Sequence, residues 1–419
     1  MTIAPAVRTD GVLRPRDGGG TTAFLPTTTV QSHAANLAWL PRGDLACVWF
    51  GGTQEGVADI NIYLSTLPSG GQTWGEPVRL SNDPSRSEQN PVLFTATPQQ
   101  VWLLYTAQLA GHQDTSEVRR RVSRDGGYTW GEPTVLFPAT ARGGVFVRQP
   151  PIRLATGRIL VPVFNCLSVP GGDWVGDADT SSVWYSDDDG STWTEAPVPA
   201  STGCVHMNIL PRQDGTLWAC FRSRWADHIW EATSADDGIT WTQPVPTALP
   251  NNNSSIQVAA LGDRRAALVF NDSSAADATA RRVSLYDEID DDGIKADPSR
   301  PEWPTEGRDT TAGDASSEGG PRTAFWGAPR APMSLALSLD EGRHWSTLLE
   351  LETGDGYCLT NNSRDGRNRE LSYPTALPGA DGDLHIAYTW HRRAIRYVHL
   401  PAKTVAHLAA KVSPKPEAG

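Results

Sequence analysis

An octapeptide of the form Ser-x-Asp-x-Gly-x-Thr-Trp occurs three times without fault in this chain, as Ser123–Trp130, Ser186–Trp193 and Ser234–Trp241. A fourth copy, Ser338–Trp345, changes only the Thr, to His344, and a fifth, ending at Trp74, is degenerate, with Leu67 and Ser69 in the Ser and Asp places. Each copy closes an alternating run such as Asp59-Ile-Asn-Ile-Tyr-Leu-Ser or Ser182-Val-Trp-Tyr-Ser, and a new strand start follows. The chemistry is that of a hairpin turn: Asp accepts backbone N–H groups inside the loop, Gly takes a positive φ, and Trp inserts its ring between sheets. One such octapeptide says little, but five in register mark a repeated β unit.

A second repeat sets the phase. The turns Leu40-Pro-Arg-Gly-Asp-Leu, Leu154-Ala-Thr-Gly-Arg-Ile, Leu210-Pro-Arg-Gln-Asp-Gly-Thr-Leu and Leu377-Pro-Gly-Ala-Asp-Gly-Asp-Leu each join two apolar runs, with equivalents near Thr97 and Gly262. These six hairpins recur roughly every 50 to 60 residues, the last interval being doubled, which is the period of propeller blades. The chain is therefore expected to be all-β, a six-bladed β-propeller over 21–402 with a long insertion in blade five at about 273–329. Residues 1–20 are expected as a flexible segment and 403–419 as a tail, a short helix or a disordered end. Blade six has only three C-terminal strands, so Ala23–Val30 is expected to supply its fourth and close the ring.

Composition agrees and excludes some functions. Sixteen Trp, 39 Gly and 32 Pro in 419 residues describe short strands and frequent turns. A net charge of −12 opposes a grip on a phosphate backbone, so nucleic acid is not an expected partner. The five Cys (Cys47, Cys166, Cys204, Cys220, Cys358) lack metal-ligand spacing and are expected as buried reduced thiols; no metal and no cofactor is expected. No apolar stretch is long enough for a signal peptide or a membrane span, so the chain as given is expected to be soluble and cytoplasmic, or secreted if a leader was trimmed. The oligomeric state stays open.

In an up-and-down blade the octapeptide turns share one face, and the starts of strand one and ends of strand two converge on the opposite channel mouth. Blade one places His33, Asn36, Trp49, Glu55 and Asp59 there; blade two places Gln89, Asn90, Tyr105, His112 and Gln113. Blades three to five add Arg148, Gln149, His206, Arg222, Arg224, Asn253, Asn271 and Arg330, and blade six adds Glu370, Tyr373, His391, Arg392 and Arg393. The insertion emerges on the same face, because it joins strand two to strand three. Arginines converging from separate blades of an acidic protein suit an anionic ligand, and Glu55, Asp59 and Glu370 are the carboxylates placed for acid–base work.

From about His33 to Leu400 these octapeptides, with their Leu-Pro-x-Gly-Asp turns, resemble the Asp-box (BNR-repeat) sialidase superfamily. The resemblance implies a six-bladed propeller and a retaining exo-glycosidase that holds a sialate carboxylate with three arginines, uses a glutamate-activated tyrosine nucleophile and protonates the leaving group with an aspartate. Arg222 in Cys220-Phe-Arg-Ser-Arg matches the second family arginine and Arg330 the third, while His33 stands where the first belongs and Cys204 falls near the activating glutamate. Tyr373 lies about two residues beyond the nucleophile position and precedes Pro374.

Three readings follow. The first is a sialidase-like exo-glycosidase on a terminal acidic sugar, with Tyr373 as nucleophile, Glu370 its activator, Asp59 or Glu55 the acid, and Arg222 and Arg330 on the carboxylate. The second is a uronate lyase in which His33 or His206 takes the C5 proton, Tyr373 protonates the leaving oxygen, and an arginine with Asn253 neutralises the carboxylate. The third is a non-catalytic carbohydrate-binding propeller. In all three the partner is an acidic mono- or oligosaccharide, and Arg148, Arg224, Asn36, Trp49, His112 and His206 complete the expected lining.

Overall fold

The computed structural model describes residues 7–168, 174–282, 284–286, 288–290, 293–294 and 322–412; parts of the insertion and of both termini lie outside them. Six antiparallel sheets form a ring of blades, each running outward from an inner strand. The inner strands are Gln31–Trp39, Arg86–Thr97, Gly143–Val147, Cys204–Pro211, Gln257–Gly262 and Leu371–Pro378. In blade five Arg265–Asn271 pairs directly with Met333–Ser338, so the expected insertion sits between its second and third strands.

The N-terminal strand that closes blade six is Thr21–Phe24, paired with Ala394–Leu400. It ends sooner than the expected Ala23–Val30, because Pro26 has no N–H to continue the ladder. Arg14–Pro15 pairs in turn with Thr21–Phe24, so part of the segment 1–20 is a strand rather than flexible chain. After the last strand the chain forms the helix Ala402–Ala409, which buries Val405 and Leu408. No helix among the described residues is long and apolar enough to cross a membrane.

The octapeptides are built alike. Asp188 Oδ1 accepts from the Ser186 hydroxyl at 2.8 Å and from the Ser191 and Thr192 amides, while its Oδ2 accepts from the Thr192 hydroxyl at 2.7 Å. In the fourth copy His344 Nδ1 replaces the Thr hydroxyl, 2.6 Å from Asp340 Oδ2, which explains how the substitution is tolerated. Gly190 (φ 80°) could carry no Cβ, since one would lie 2.4 Å from the Trp102 ring of the preceding blade. The turn thus fixes the hairpin and also seats one blade on the next.

Four of the inner strands slip register near their starts: His33/Asn36, Gln89/Val92, Val205/Asn208 and Ser372/Thr375. The first residue inside each slip is left-handed, namely Ala34 (φ 60°), Asn90 (50°), His206 (55°) and Tyr373 (50°). Just beyond, side chains tie neighbouring blades through backbone amides: Asn36 Oδ1 accepts from Leu93, Asn208 Oδ1 from Val258, and Thr375 Oγ1 from Leu37.

The octapeptide serine carries a similar duty within a blade. Ser234 Oγ accepts the buried Gly238 amide at 3.0 Å and donates to Asp236. Ser234→Ala should cost about 1–3 kcal/mol by leaving that amide unsatisfied, read as a lower urea midpoint at unchanged slope.

Candidate functional site

The left-handed position of blade six turns Tyr373 into the channel mouth, where three guanidiniums surround its ring: Arg148, Arg222 and Arg330, at 5.3, 5.7 and 5.7 Å from the centroid. Arg222 Nη1 donates to the Tyr373 hydroxyl at 2.6 Å, and its Nε donates to Asn253 Oδ1 at 2.7 Å. His33 and His206 flank the same ring, with centroids 4.3 and 5.6 Å away. Residues from blades one, three, four, five and six therefore meet around one phenol ring.

Beside it lies a carboxylate network. Glu370 is wholly buried, accepts hydrogen bonds from Arg330 Nη1 at 3.0 Å, the Ser372 hydroxyl at 2.6 Å and Asn368 Nδ2 at 3.0 Å, and is ion-paired with Arg392, whose Nε lies 3.1 Å away. Glu55 pairs with the other side of Arg392. Burial alone would raise the pKa of Glu370, but Arg392 and Arg330 outweigh it and hold the carboxyl well below its ordinary range. Glu370 is thus an anion committed to two arginines, and the Tyr373 hydroxyl accepts from Arg222, with no carboxylate hydrogen-bonded to it among the described residues.

Arg148 and Arg222 differ from Arg330 and Arg392 in having no carboxylate partner among the described residues. Arg148 Nη2 donates only to the carbonyls of Ala35, Tyr373 and Pro374, and its Nε and Nη1 have no partner there. Burial pushes Arg148 down to about 10 and Arg222 down to about 9, so both remain cations at neutral pH and present uncompensated charge. Burial, joined by Arg392 for His33 and by Arg222 for His206, drives both imidazoles well below 6.5, so they are neutral.

The insertion covers this centre. Trp326 lies over the Arg222 and Arg224 guanidiniums at 5.9 and 5.1 Å, and the Phe325 carbonyl accepts from Asn253 Nδ2 at 2.9 Å. Tyr286 sends its hydroxyl among Gln89, Gln108 and Gln113 of blade two.

Of the residues expected from the sequence, Tyr373, Glu370, His33, His206, Arg148, Arg222, Arg330, Asn253 and Glu55 are gathered within this cluster or its immediate ion-pair network. Arg224 lies beside it, but its charge is taken up by Asp179, at 2.9 and 2.6 Å. Five expectations are corrected. Asp59 is exposed and caps the Thr53 amide at 3.1 Å, so it stands outside the cluster, in the turn before the strand Asn61–Leu67. His112 is exposed, and the neighbouring Gln113 points inward instead. Trp49 is core, stacked on Tyr63 at 6.2 Å in the wedge between blades six and one. Asn36 is the tether to Leu93 described above. Glu370, expected to activate Tyr373, is engaged by Arg330 and Arg392.

Arg392 was legible as a polar strand end but had no assigned part; its place just after strand two of blade six parallels that of Arg224 in blade four. Asp179, Trp326 and Tyr286 carried no local signal, since they lie in connections whose path the repeat does not set. Among the described residues, one group of three side chains is spaced to hold a metal ion, Asp383, His385 and His399, and it is not in this cluster.

The neutral histidines have a measurable consequence. Below pH 6.5 the unfolded chain gains protons that the folded state refuses, so stability should fall as the pH drops from 7.5 to 5, by up to about 2 kcal/mol per imidazole. Urea unfolding across that range should show a smaller loss for His206→Gln than for the parent chain.

Comparison with known proteins places this geometry. No curated protein matches the sequence. In solved structures the chain is similar to the Hadza microbial sialidase Hz136 (TM-score 0.62, 14% identity, 90% of this chain and 66% of that one). It is also similar to Trypanosoma rangeli sialidase in complex with sialic acid (0.60, 13%, 97% and 60%) and to a protein of unknown function from Dyadobacter fermentans (0.59, 15%, 95% and 99%). The chain thus spans 60 to 66% of the length of those two sialidases, and at such identity the likeness is one of fold. A family model described as BNR repeat-like domain matches residues 43–386, and with most of the propeller inside that match, this chain belongs to the BNR repeat-like family.

Proposed function

We propose that this protein is a carbohydrate-active enzyme that binds an acidic sugar by its carboxylate and cleaves its glycosidic bond at Tyr373. The observation that carries the reading is the buried hydroxyl of Tyr373 held by Arg222 beside a second guanidinium, Arg148, that lacks an anionic partner among the described residues. Bidentate guanidinium recognition suits a planar carboxylate, and sialic acid is the ligand in one of the structures of similar fold. Entry of the sugar requires the cover at Phe325 and Trp326 to shift.

For a sialidase-like exo-glycosidase, the Tyr373 oxygen bonds to the anomeric carbon as the glycosidic C–O bond breaks, its phenol proton passing to the neutral imidazole of His206, and water then displaces the tyrosine. The leaving oxygen takes its proton from solvent water, Asp59 being outside and Glu55 paired with Arg392. One observation favours elimination as a second reading. His33 is neutral and buried against Tyr373, and neither ring nitrogen has a hydrogen-bond partner among the described residues. Such an imidazole is suited to take the C5 proton of a uronate while Tyr373 gives its own proton to the departing oxygen and a C=C bond forms.

The test is a panel of sialosides and uronate-terminated oligosaccharides, read for released sugar and for the ultraviolet absorbance of a new double bond. Tyr373→Phe should lower turnover about 10²–10⁴-fold by either route. His33→Ala should abolish elimination and spare hydrolysis. Retained binding without turnover across the panel would instead mark a carbohydrate-binding propeller, and no binding at all would remove the acidic-sugar reading.

A further inference from the structure

At the other end of blade six, beside the turn that joins its inner strand to Leu384–Trp390, three polar side chains converge away from the arginine cluster. His385 and His399 are direct cross-strand partners, their rings stacked at 4.9 Å. Both Nε2 atoms reach a single oxygen, Asp383 Oδ2, at 3.1 and 2.8 Å. On its far side His385 Nδ1 lies 2.7 Å from the hydroxyl of buried Tyr397.

We propose that Asp383, His385 and His399 form a binding site for a divalent ion of the zinc type, separate from the carbohydrate site. The three ligand atoms lie within 4.8 Å of one another, and a tetrahedral ion with bonds of about 2.0–2.2 Å needs edges of about 3.3 Å, so small side-chain rotations admit it. Two imidazoles and one carboxylate suit a borderline transition ion rather than calcium or magnesium, which take all-oxygen sets. Tyr397 supplies the further contact such sites use: with Nε2 on the metal, His385 donates Nδ1–H to the Tyr397 oxygen, which fixes the tautomer and the ring. All three side chains line a cavity of about 890 Å³ that Trp39 and Tyr397 also wall, leaving a coordination position open to water or a small anion.

The location gives the ion a structural role. His399 pairs with Thr21 of the N-terminal strand, so a metal across His385 and His399 would staple the last two strands where the ring closes. Asp383 is held close to the turn, since a Cβ on Gly379 would fall 1.9 Å from its Oδ1.

The experiment is calorimetric titration of chelator-treated full-length protein with ZnCl₂, alongside thermal unfolding with and without the ion. One ion per chain and a raised Tm are expected, both lost in His385→Ala and in the half-exposed His399→Gln, and binding about 10-fold weaker in Tyr397→Phe. Tyr373→Phe should bind zinc as the parent does. Absence of saturable binding, or binding that survives replacement of both histidines, would overturn the assignment and leave the carbohydrate reading untouched.

Discussion

A bulge near the start of the inner strand is the local irregularity on which this molecule depends. By holding one residue left-handed it swings a side chain out of the sheet and toward the axis, at a backbone cost of about 1–2 kcal/mol for an ordinary L-residue. Repeated at Ala34, Asn90, His206 and Tyr373, the same bend occupies four blades and serves two ends. It aims Tyr373 and His206 at one point. It also frees the amides of Leu37 and Leu93, just past the slip, to be taken by side chains of the adjacent blades. Ring cohesion and site geometry therefore come from one device.

Around that point the protein buries more positive than negative charge, although the chain as a whole carries −12. Two modes of burial coexist. Arg330 and Arg392 share Glu370 and form a compensated group, whereas Arg148 rests on three carbonyl oxygens and Arg222 on a phenol and an amide. Buried cations without a carboxylate are costly, and the depressed pKa values of Arg148 and Arg222 express that cost. An anionic ligand would relieve it, which is why the uncompensated pair, and not the number of arginines, carries the functional reading.

The repeat made much of the fold legible. Each octapeptide is a local object, its Asp, Ser and Thr bonding atoms within four residues, so the turns and the blade phase follow from neighbours along the chain. Arg148, Arg222, Arg330 and Tyr373 were legible because strand ends at known phase must face the mouth. Asn36 and Trp49 occupied similar phase and yet serve as a tether and a wedge, because one residue of slip exchanges the faces of a strand, while Asp59 lies in the turn ahead of its strand and serves as a cap. Glu370 was read as the activator of Tyr373, and its engagement with Arg392 instead depends on a contact between two ends of a hairpin that spacing does not specify.

By itself the sequence determined that the chain is an all-β ring of six blades and on which face its arginines emerge, since turn chemistry and alternation act over a few residues. Only the tertiary structure decided which of those polar side chains are already paired and which are left charged. Partners such as Asp179 with Arg224, or His385 with Asp383 and His399, are chosen by side-chain reach across strands and loops, and electrostatic compensation is a property of distance in space rather than separation along the chain.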